Sequence, residues 1–376
     1  MIRWKEKNYS ICLMSERIRK MKIACIGYLH GAGGAERQII MLSNALFERG
    51  HEVHLISLVA TNSNYEISEG VIVHDLSYSE SFDGNKILNR YKVLKNILME
   101  IKPDVSINYW FQSVYFCAMM NKSITGKVIY SERGDPGDEE YSGLLGIVRK
   151  LAFKRVDGFV FQSEGACNYF SKKIKNRSIV IHNSVSIPDG MFLEPCINRE
   201  KKIVTVGRLH PQKNQKLLIE AFAKIAGNFP EYRLDIYGDG ELEEVLKEQI
   251  NSLGLEDRIF LRGTTKNILD YVYTASLFVL SSNYEGLPNA LMEAIAIGVP
   301  CISTDCKPGG ARTIIQNGVN GWLVPRENVT LLAEKMQKVI SAETNNEMLK
   351  NEAIKFRKLH SSKTVFDMWE KYILNL

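Results

Sequence analysis

The 376-residue sequence contains no run of about 18 apolar residues, so no segment of it is predicted to cross a membrane. Its seven cysteines are odd in number and scattered, and none of them forms a CxxC pair. This usage is typical of a reduced, cytoplasmic protein. The sequence also lacks a His/Cys cluster and a DxD pair of carboxylates, and we therefore expect no bound metal.

The sequence has little net charge outside its first residues. Of the formal net charge of +5, residues 1–20 carry +4, from six Lys and Arg against two Asp and Glu, which leaves +1 for the remaining chain. A near-neutral body argues against a nucleic-acid-binding protein. Residues 1–20 lack the apolar core of a signal peptide, and we expect a disordered extension there, before a first strand that begins after Met21.

From Met21 onward, short β-branched runs alternate with helical periodicity, beginning with the strand IACIG at 23–27. This alternation predicts an α/β fold of two Rossmann-like domains facing a cleft, each a parallel sheet with helices on both faces. Two prolines and a glycine interrupt the rhythm at 187–200, where we place a linker. The predicted domains are then 21–186 and 201–376, the second including the closing C-terminal helices.

A glycine-rich segment, GAGGAER at 31–37, follows the first predicted strand. Gly33 and Gly34 permit close approach of the backbone to a ligand, and the free amides of a helix start favour an anion. The spacing is not GxGxxG, which disfavours a dinucleotide site. A tight turn without a ligand is the alternative.

The segment VGRLHPQKN at 206–214 places two cations at the end of a predicted strand. Arg208 and Lys213 lie on either side of Pro211 and have no acidic residue close to them in the sequence. Two such cations suit a diphosphate. The alternative is a pair of solvated loop charges.

The segment EGLPNALMEAIAIGVP at 285–300 contains Glu293 as the only charge of an apolar helix. A carboxylate in such a helix needs hydrogen-bond donors. Together with Glu285 it could face sugar hydroxyls, or it could cap a neighbouring backbone. Further along, KPGGARTII at 307–315 predicts a second glycine-rich helix start, where the amides of Gly309 and Gly310 could bind phosphate oxygens.

Taken in order, these segments resemble the retaining glycosyltransferases of family four, which have the GT-B fold, from about residue 22 to 340. One departure is Thr313, where many members have Glu. The resemblance rests on GAGGAER, HNSV at 182–185, VGRLHPQKNQKLLIEAF, YGDGELEE, EGLPNALMEA and PGGARTII.

The resemblance implies that Arg208 and Lys213 bind the donor diphosphate and that Glu293 binds the ribose hydroxyls. It also implies that Glu285, with backbone at Gly286 and Leu287, binds the transferred sugar. We name Arg208, Lys213 and Glu285 as the catalytic set and assign no protein nucleophile. The other predicted donor contacts are Gly33, Gly34, Gly207, Gly238, Gly240, Pro288, Gly309 and Gly310.

Within the family, GGAER together with SERGDP at 131–136 resembles bacterial enzymes that build surface polysaccharides or lipid-linked oligosaccharides. Such enzymes typically use a UDP-hexose or UDP-N-acetylhexosamine as substrate, without a cofactor. Two alternatives stay open. A sugar-nucleotide epimerase would need an acid/base cluster that the sequence lacks, and the presence of all four charged residues of the donor site argues against a non-catalytic sugar-binding protein.

The acceptor side is predicted from LLGIVRKLAFKRV at 144–156, where six apolar residues form one helical stripe and four cations occur without an acid. Basic amphipathic helices of this kind lie on anionic membranes or meet acidic ligands. We expect a lipid-diphosphate acceptor and a peripheral location on the inner face of the plasma membrane. The alternative is a core helix with a solvated basic face. The residues expected on this side are Arg133, Arg149, Lys150 and Lys154.

Overall fold

The computed structural model describes residues 19–376 except 32, 78–84, 139–140, 189, 193, 195, 197 and 344. Of the extension predicted at 1–20, only the last two residues lie within this range. No helix among the described residues is long and apolar enough to span a bilayer.

The first half of the chain forms a parallel sheet with the strand order β5-β3-β1-β6-β7-β8-β9, and β2 pairs separately with β4. The strands are β1 Lys22–Gly27, β2 His30–Gly31, β3 Glu52–Ser57, β4 Asn62–Ser63, β5 Ile72–Asp75, β6 Val105–Asn108, β7 Lys127–Glu132, β8 Gly158–Phe161 and β9 Ser178–Val180. The helices are α1 Gly34–Glu48, α2 Lys86–Ile101, α3 Phe111–Ala118, α4 Lys122–Thr125, α5 Gly143–Phe153, α6 Glu164–Asn168 and α7 Lys172–Lys175.

The second half forms a parallel sheet with the order β12-β11-β10-β13-β14-β15. Its strands are β10 Glu200–Val206, β11 Arg233–Tyr237, β12 Ile259–Gly263, β13 Ala275–Leu280, β14 Cys301–Thr304 and β15 Trp322–Val324. The helices are α8 Gln215–Ala226, α9 Glu243–Ser252, α10 Ile268–Tyr273, α11 Asn289–Ala296, α12 Gly310–Ile314, α13 Val329–Ser341, α14 Asn346–Leu359 and α15 Ser362–Leu374.

Helices cover both faces of each sheet, which confirms the predicted fold class. In β1, Ile23 and Cys25 face one core with α1, whereas Ala24 and Ile26 face the other core with α2 and α3. All four side chains are fully buried, because a parallel strand is covered on both sides. The loops that follow the strands of the two sheets meet across a cleft, the usual place for a ligand in such folds.

The last helix, α15, packs on the first sheet and not in the second domain, where the sequence analysis placed it. Val365, Phe366, Trp369 and Ile373 of α15 are buried in a core of the first sheet, against residues of β1 and α1. The segment between β9 and β10 carries the chain from the first sheet to the second, and the chain returns beside this segment before α15. There the Val185 N–H donates to the His360 carbonyl at 2.8 Å. The assignment of the whole of 201–376 to the second domain is therefore wrong for α15, because the apolar face of this helix completes the first core.

The basic helix of the sequence analysis, α5, is also oriented differently from the prediction. Arg149 is buried, and its guanidinium lies 4.2 Å from the Tyr141 ring centroid and donates to the Pro136 carbonyl at 2.9 Å. Arg149 was expected among the cations that meet an acceptor or a membrane, which is wrong, since aromatic rings and a carbonyl hold its charge inside. Lys150 and Lys154 are exposed. So are four large apolar side chains, with exposures of 53–76%: Leu144, Leu145, Ile147 and Leu151.

Candidate active site

The glycine-rich turn after β1 lies against the second half of the chain. Helix α1 begins directly after Gly33, whose carbonyl accepts from the Arg37 N–H at 3.0 Å. A Cβ atom added at Gly34 would lie only 2.9 Å from the Asn289 side-chain nitrogen at the start of α11. The absence of a side chain at Gly34 therefore allows the two helix starts to approach each other across the cleft.

The loops after β10 and β11 pack backbone to backbone. The Gly207 N–H donates to the Tyr237 carbonyl at 3.0 Å. Gly238 has φ +135°, and a Cβ there would lie 2.1 Å from the Gly207 carbonyl oxygen. Gly240 has φ +149° and contacts Leu209 in the same way. Only glycine suits these two positions, and this contact fixes the strand end from which Arg208 projects.

The two cations of this loop have different surroundings. Arg208 is exposed, and no hydrogen bond or ion pair joins its guanidinium to another described residue. The Lys213 Nζ atom lies 2.5 Å from the Glu285 Oε1 atom. The expectation that neither cation has an acidic partner is therefore wrong for Lys213, because the two loops follow adjacent strands, β10 and β13.

Glu285 is held from three sides, and its side chain is 7% exposed. Besides Lys213, the Ser282 hydroxyl donates to the Glu285 Oε1 atom at 2.7 Å. The Glu285 N–H donates to the Lys307 carbonyl at 2.9 Å, which joins this loop to the one after β14. The carboxylate is thus oriented by two donors in a partly dry site, where electrostatic interactions are stronger than in water.

Glu293 forms an ion pair with Arg37 of α1, across 256 positions of sequence. Burial opposes the charge of the guanidinium, but the carboxylate outweighs it and raises the pKa of Arg37. This partner was missed, because the sequence analysis considered only sugar hydroxyls and backbone amides for Glu293. The charge of Arg37 in GAGGAER was the available signal.

Asn183, in the segment between β9 and β10, connects the two halves of the chain through its side-chain amide. It donates to the Leu287 carbonyl at 3.1 Å and to the Asn289 Oδ1 atom at 2.6 Å, and it accepts from the Arg133 Nη1 atom at 2.9 Å. The Arg133 guanidinium stacks on Tyr109 at 3.9 Å, and burial lowers the pKa of Arg133. Arg133 was expected on the acceptor side, and its side chain lies at this junction between the two sheets.

The second glycine-rich turn supports the loop that carries Glu285. A Cβ atom at Gly286 would lie 2.4 Å from the Arg133 carbonyl oxygen, and one at Gly310 would lie 2.0 Å from the Gly286 carbonyl oxygen. Gly309 has φ +99°, and its N–H already donates to the Cys306 carbonyl at 2.9 Å. Pro288 immediately precedes α11. Within the described residues, no three His, Cys, Asp or Glu side chains are grouped as metal ligands.

Comparison with known proteins identifies the family of the chain. The family model for group 1 glycosyl transferases matches residues 194–356, and the model for glycosyltransferase family 4 matches residues 32–187. An uncharacterised glycosyltransferase of Methanocaldococcus jannaschii is 34% identical over 60% of this chain, a match that spans 61% of that relative.

Two further matches span nearly the whole chain. An undecaprenol-diphosphate-oligosaccharide α-1,4-N-acetyl-D-galactosaminyltransferase of Campylobacter jejuni is 28% identical, over 94% of this chain and 98% of the relative. The crystal structure of the Anabaena protein HepE with UDP and glucose has a TM-score of 0.78 at 19% identity, covering 95% of this chain and all of that one. The chain therefore belongs to the retaining glycosyltransferases of family 4, group 1, and has their GT-B fold.

Proposed function

We propose that this glycosyltransferase transfers a hexose or N-acetylhexosamine from a UDP-sugar to a growing, lipid-linked glycan in surface polysaccharide biosynthesis. The observation that carries the proposal is that Arg208, Lys213 and Glu285 follow the adjacent strands β10 and β13, while Glu293 of the next helix pairs across the cleft with Arg37. The UDP and glucose bound by HepE and the lipid-linked substrate in the name of the Campylobacter relative support the choice of donor and acceptor.

The donor is placed along the strand ends of the second sheet. Arg208 and Lys213 neutralise the diphosphate as it departs, which is the charge that develops in the transition state. Glu293 binds the ribose hydroxyls and exchanges its present partner, Arg37, for them. Glu285 and the backbone of Gly286 and Leu287 bind the transferred sugar. The glycines completing the donor contacts are those that bring these loops together: Gly33, Gly34, Gly207, Gly238, Gly240, Gly309 and Gly310.

The transfer step needs no protein nucleophile. The acceptor hydroxyl oxygen bonds to the anomeric carbon on the face from which the diphosphate departs, and the bond from that carbon to the diphosphate oxygen breaks. The hydroxyl proton passes to the leaving phosphate. The protein's contribution is to position both substrates and to stabilise the developing negative charge with preorganised cations.

Release of UDP tests the function directly. Purified protein is incubated with a panel of nucleotide sugars, with and without a lipid-diphosphate-linked saccharide, and free UDP is measured. We expect acceptor-dependent release from at least one UDP-sugar. An epimerase would alter the sugar nucleotide without an acceptor, and a non-catalytic binding protein would bind UDP without releasing any from the donor.

Activity is expected to survive removal of divalent cations. Arg208 and Lys213 supply positive charge at the place where a metal would otherwise neutralise the diphosphate. We expect the same rate of UDP release before and after treatment with EDTA. Loss of activity with EDTA, restored by adding back a divalent cation, would show that the diphosphate charge is neutralised by a metal.

The membrane-facing part of the proposal rests on α5. Its exposed side chains combine four large apolar residues with Lys150 and Lys154, a composition suited to the surface of an anionic bilayer. A contiguous apolar patch of this kind is unusual on the surface of a soluble protein unless a partner or a membrane covers it. We infer that α5 rests on the cytoplasmic face of the membrane, close to a lipid-linked acceptor.

Flotation with anionic liposomes tests this contact. Replacing Lys150 and Lys154 with Gln is expected to weaken binding by about 1 kcal/mol per charge, and to make the residual binding less sensitive to salt. Leu144→Gln with Leu145→Gln should weaken binding at every salt concentration. Lys338→Gln, a change of an exposed cation on α13, is the matched control. If the wild-type protein does not bind anionic liposomes at low salt, the membrane contact is refuted.

A further inference from the structure

A cavity of about 710 Å³ lies between the two halves of the chain, at the strand ends next to the proposed donor site. One wall is the loop after β7, at 135–138, together with α6. The other wall is formed by the loops after β13, β14 and β15. A cavity of this volume is in the range of sites that bind small organic ligands.

The cavity adjoins the loop that carries Glu285, because Asn283 and Tyr284 of that loop line it. The Glu285 N–H donates to the carbonyl of Lys307, a residue of the cavity wall, at 2.9 Å. In the sheet, β13 lies between β10 and β14. The two cations of the donor site follow β10, Glu285 follows β13, and most of this cavity wall follows β14. A molecule in the cavity would therefore lie beside the loop that is proposed to bind the transferred sugar.

The two walls carry opposite charges. Lys307 and Arg326 lie on the wall of the second sheet. Lys307 is exposed and has no hydrogen-bond or ion-pair partner among the described residues for its side chain. Arg326 has only a distant carboxylate, that of Glu327 at 3.9 Å. The third cation of this wall, Arg312, is already paired with Asp305 at 2.5 Å. Two cations thus remain available to an anionic ligand.

The facing wall presents the carboxylates of Asp135 and Asp138. Their loop is anchored from below, because the buried Glu132 carboxylate accepts from the Arg133 and Gly134 N–H groups, each at 3.1 Å. Arg149 of α5 donates to the Pro136 carbonyl in the same loop. Carboxylates are good acceptors for sugar hydroxyls, and the loop that carries these two is held in place by these hydrogen bonds.

We propose that this cavity binds the acceptor as a phosphorylated saccharide, with its hydroxyl groups at Asp135 and Asp138 and its phosphate at Lys307 and Arg326. The inference deepens the proposed function and depends on it for the identity of the reaction. The phosphate could belong to a lipid diphosphate or to a phosphorylated sugar without lipid, and the same two cations would bind either.

Titration with two probes tests the cavity. Full-length protein, with and without saturating UDP, is titrated with N-acetylglucosamine 1-phosphate and with a short prenyl-diphosphate-linked N-acetylglucosamine. The double variant Lys307→Gln, Arg326→Gln is expected to bind the phosphorylated probes about tenfold more weakly, the size of losing a charge-assisted contact. Lys338→Gln on α13 is the control and should bind both like the wild type. The Kd for UDP should be the same in all three proteins.

A second variant examines the sugar-binding wall. Asp135→Asn with Asp138→Asn removes both charges. The amide at position 135 keeps a side-chain oxygen to accept the hydrogen bond that the Gly137 N–H donates to Asp135 at 2.9 Å. We expect weaker binding of the prenyl-linked probe at every salt concentration, whereas the loss in the Lys307 and Arg326 variant should shrink as salt rises.

The outcomes separate the cavity from the reaction. Wild-type protein that binds neither probe, or a double cation variant that binds both unchanged, would overturn the acceptor assignment even if UDP is released from a donor. Binding of the prenyl-linked probe alone supports the cavity and identifies a lipid as the source of the phosphate, and binding of both supports a site for any phosphorylated saccharide. Cation-dependent probe binding without UDP release from any donor would support the cavity while refuting the proposed reaction.

Discussion

Arg208→Ala is expected to lower kcat/KM by roughly 30- to 1000-fold, which corresponds to about 2–4 kcal/mol of transition-state stabilisation. The reason is that Arg208 makes no ion pair with any described residue, so its charge is available to the departing diphosphate. For the same reason the variant should unfold at the temperature of the wild type. Steady-state rates of UDP release and a melting curve are the two measurements.

Lys213→Ala is expected to lower kcat/KM by a similar factor but to leave a different signature. Its removal also leaves the nearly buried Glu285 carboxylate without its cation at 2.5 Å, so the melting temperature should fall as well. Lys213→Arg keeps the charge and should retain more activity than the alanine variant. Wild-type kcat/KM in either alanine variant would contradict the diphosphate assignment, and Lys338→Ala controls for loss of a surface cation.

The second large effect is expected at Glu293, where Glu293→Gln should weaken UDP binding by about tenfold or more. The expected loss is that of charge-assisted hydrogen bonds to the ribose hydroxyls. Calorimetric titration with UDP alone measures it, without the transferred sugar or the acceptor.

The ion pair between Glu293 and Arg37 requires a companion variant. Arg37→Gln keeps the Glu293 carboxylate and frees it for the ribose, so UDP affinity should fall much less than in Glu293→Gln. Equal losses in the two variants would mean that Glu293 acts by holding α1 against the second half of the chain. That result would replace ribose binding with a structural role.

Glu285→Gln and Glu293→Gln should differ in their affinity for UDP in the same titration. Glu285 is assigned to the transferred sugar, which UDP lacks, so its variant should bind UDP nearly as well as the wild type and lose turnover instead. Gln also accepts from the Ser282 hydroxyl, which keeps the loop in place. If both variants bind UDP normally, the ribose role of Glu293 is wrong.

Much of the fold could be predicted because its signals are local. The strand predicted at 23–27 lies within β1 Lys22–Gly27, and the glycine-rich segments at 31–37 and 307–315 contain the starts of α1 Gly34–Glu48 and α12 Gly310–Ile314. Strand β15 Trp322–Val324 has only three residues, which are too few to show a periodicity. The glycine positions at the strand ends were also readable, since each allows a turn or a close approach that other residues do not.

Other features depend on residues far apart in the chain. The carboxylate that pairs with Lys213 lies 72 positions away, and the cation that pairs with Glu293 lies 256 positions away. Both were considered within their own segments only. For α5 the prediction of one apolar stripe was wrong, because Ala152 is buried whereas Leu144 and Leu151 are exposed. The pattern alone also could not show that Arg149 would turn inward toward Tyr141.

The sequence by itself determined the alternation of strands and helices, the family and the loops in which the charged site residues lie. It could do so because hydrophobic periodicity, helix starts and glycine turns are properties of short segments. Only the tertiary structure decided which charges meet, where α15 packs and which face of α5 is exposed. Those outcomes depend on strand order and on the burial of surfaces that distant segments contribute. The free energy of burying apolar surface comes from contacts across the whole fold, so no single segment reveals it.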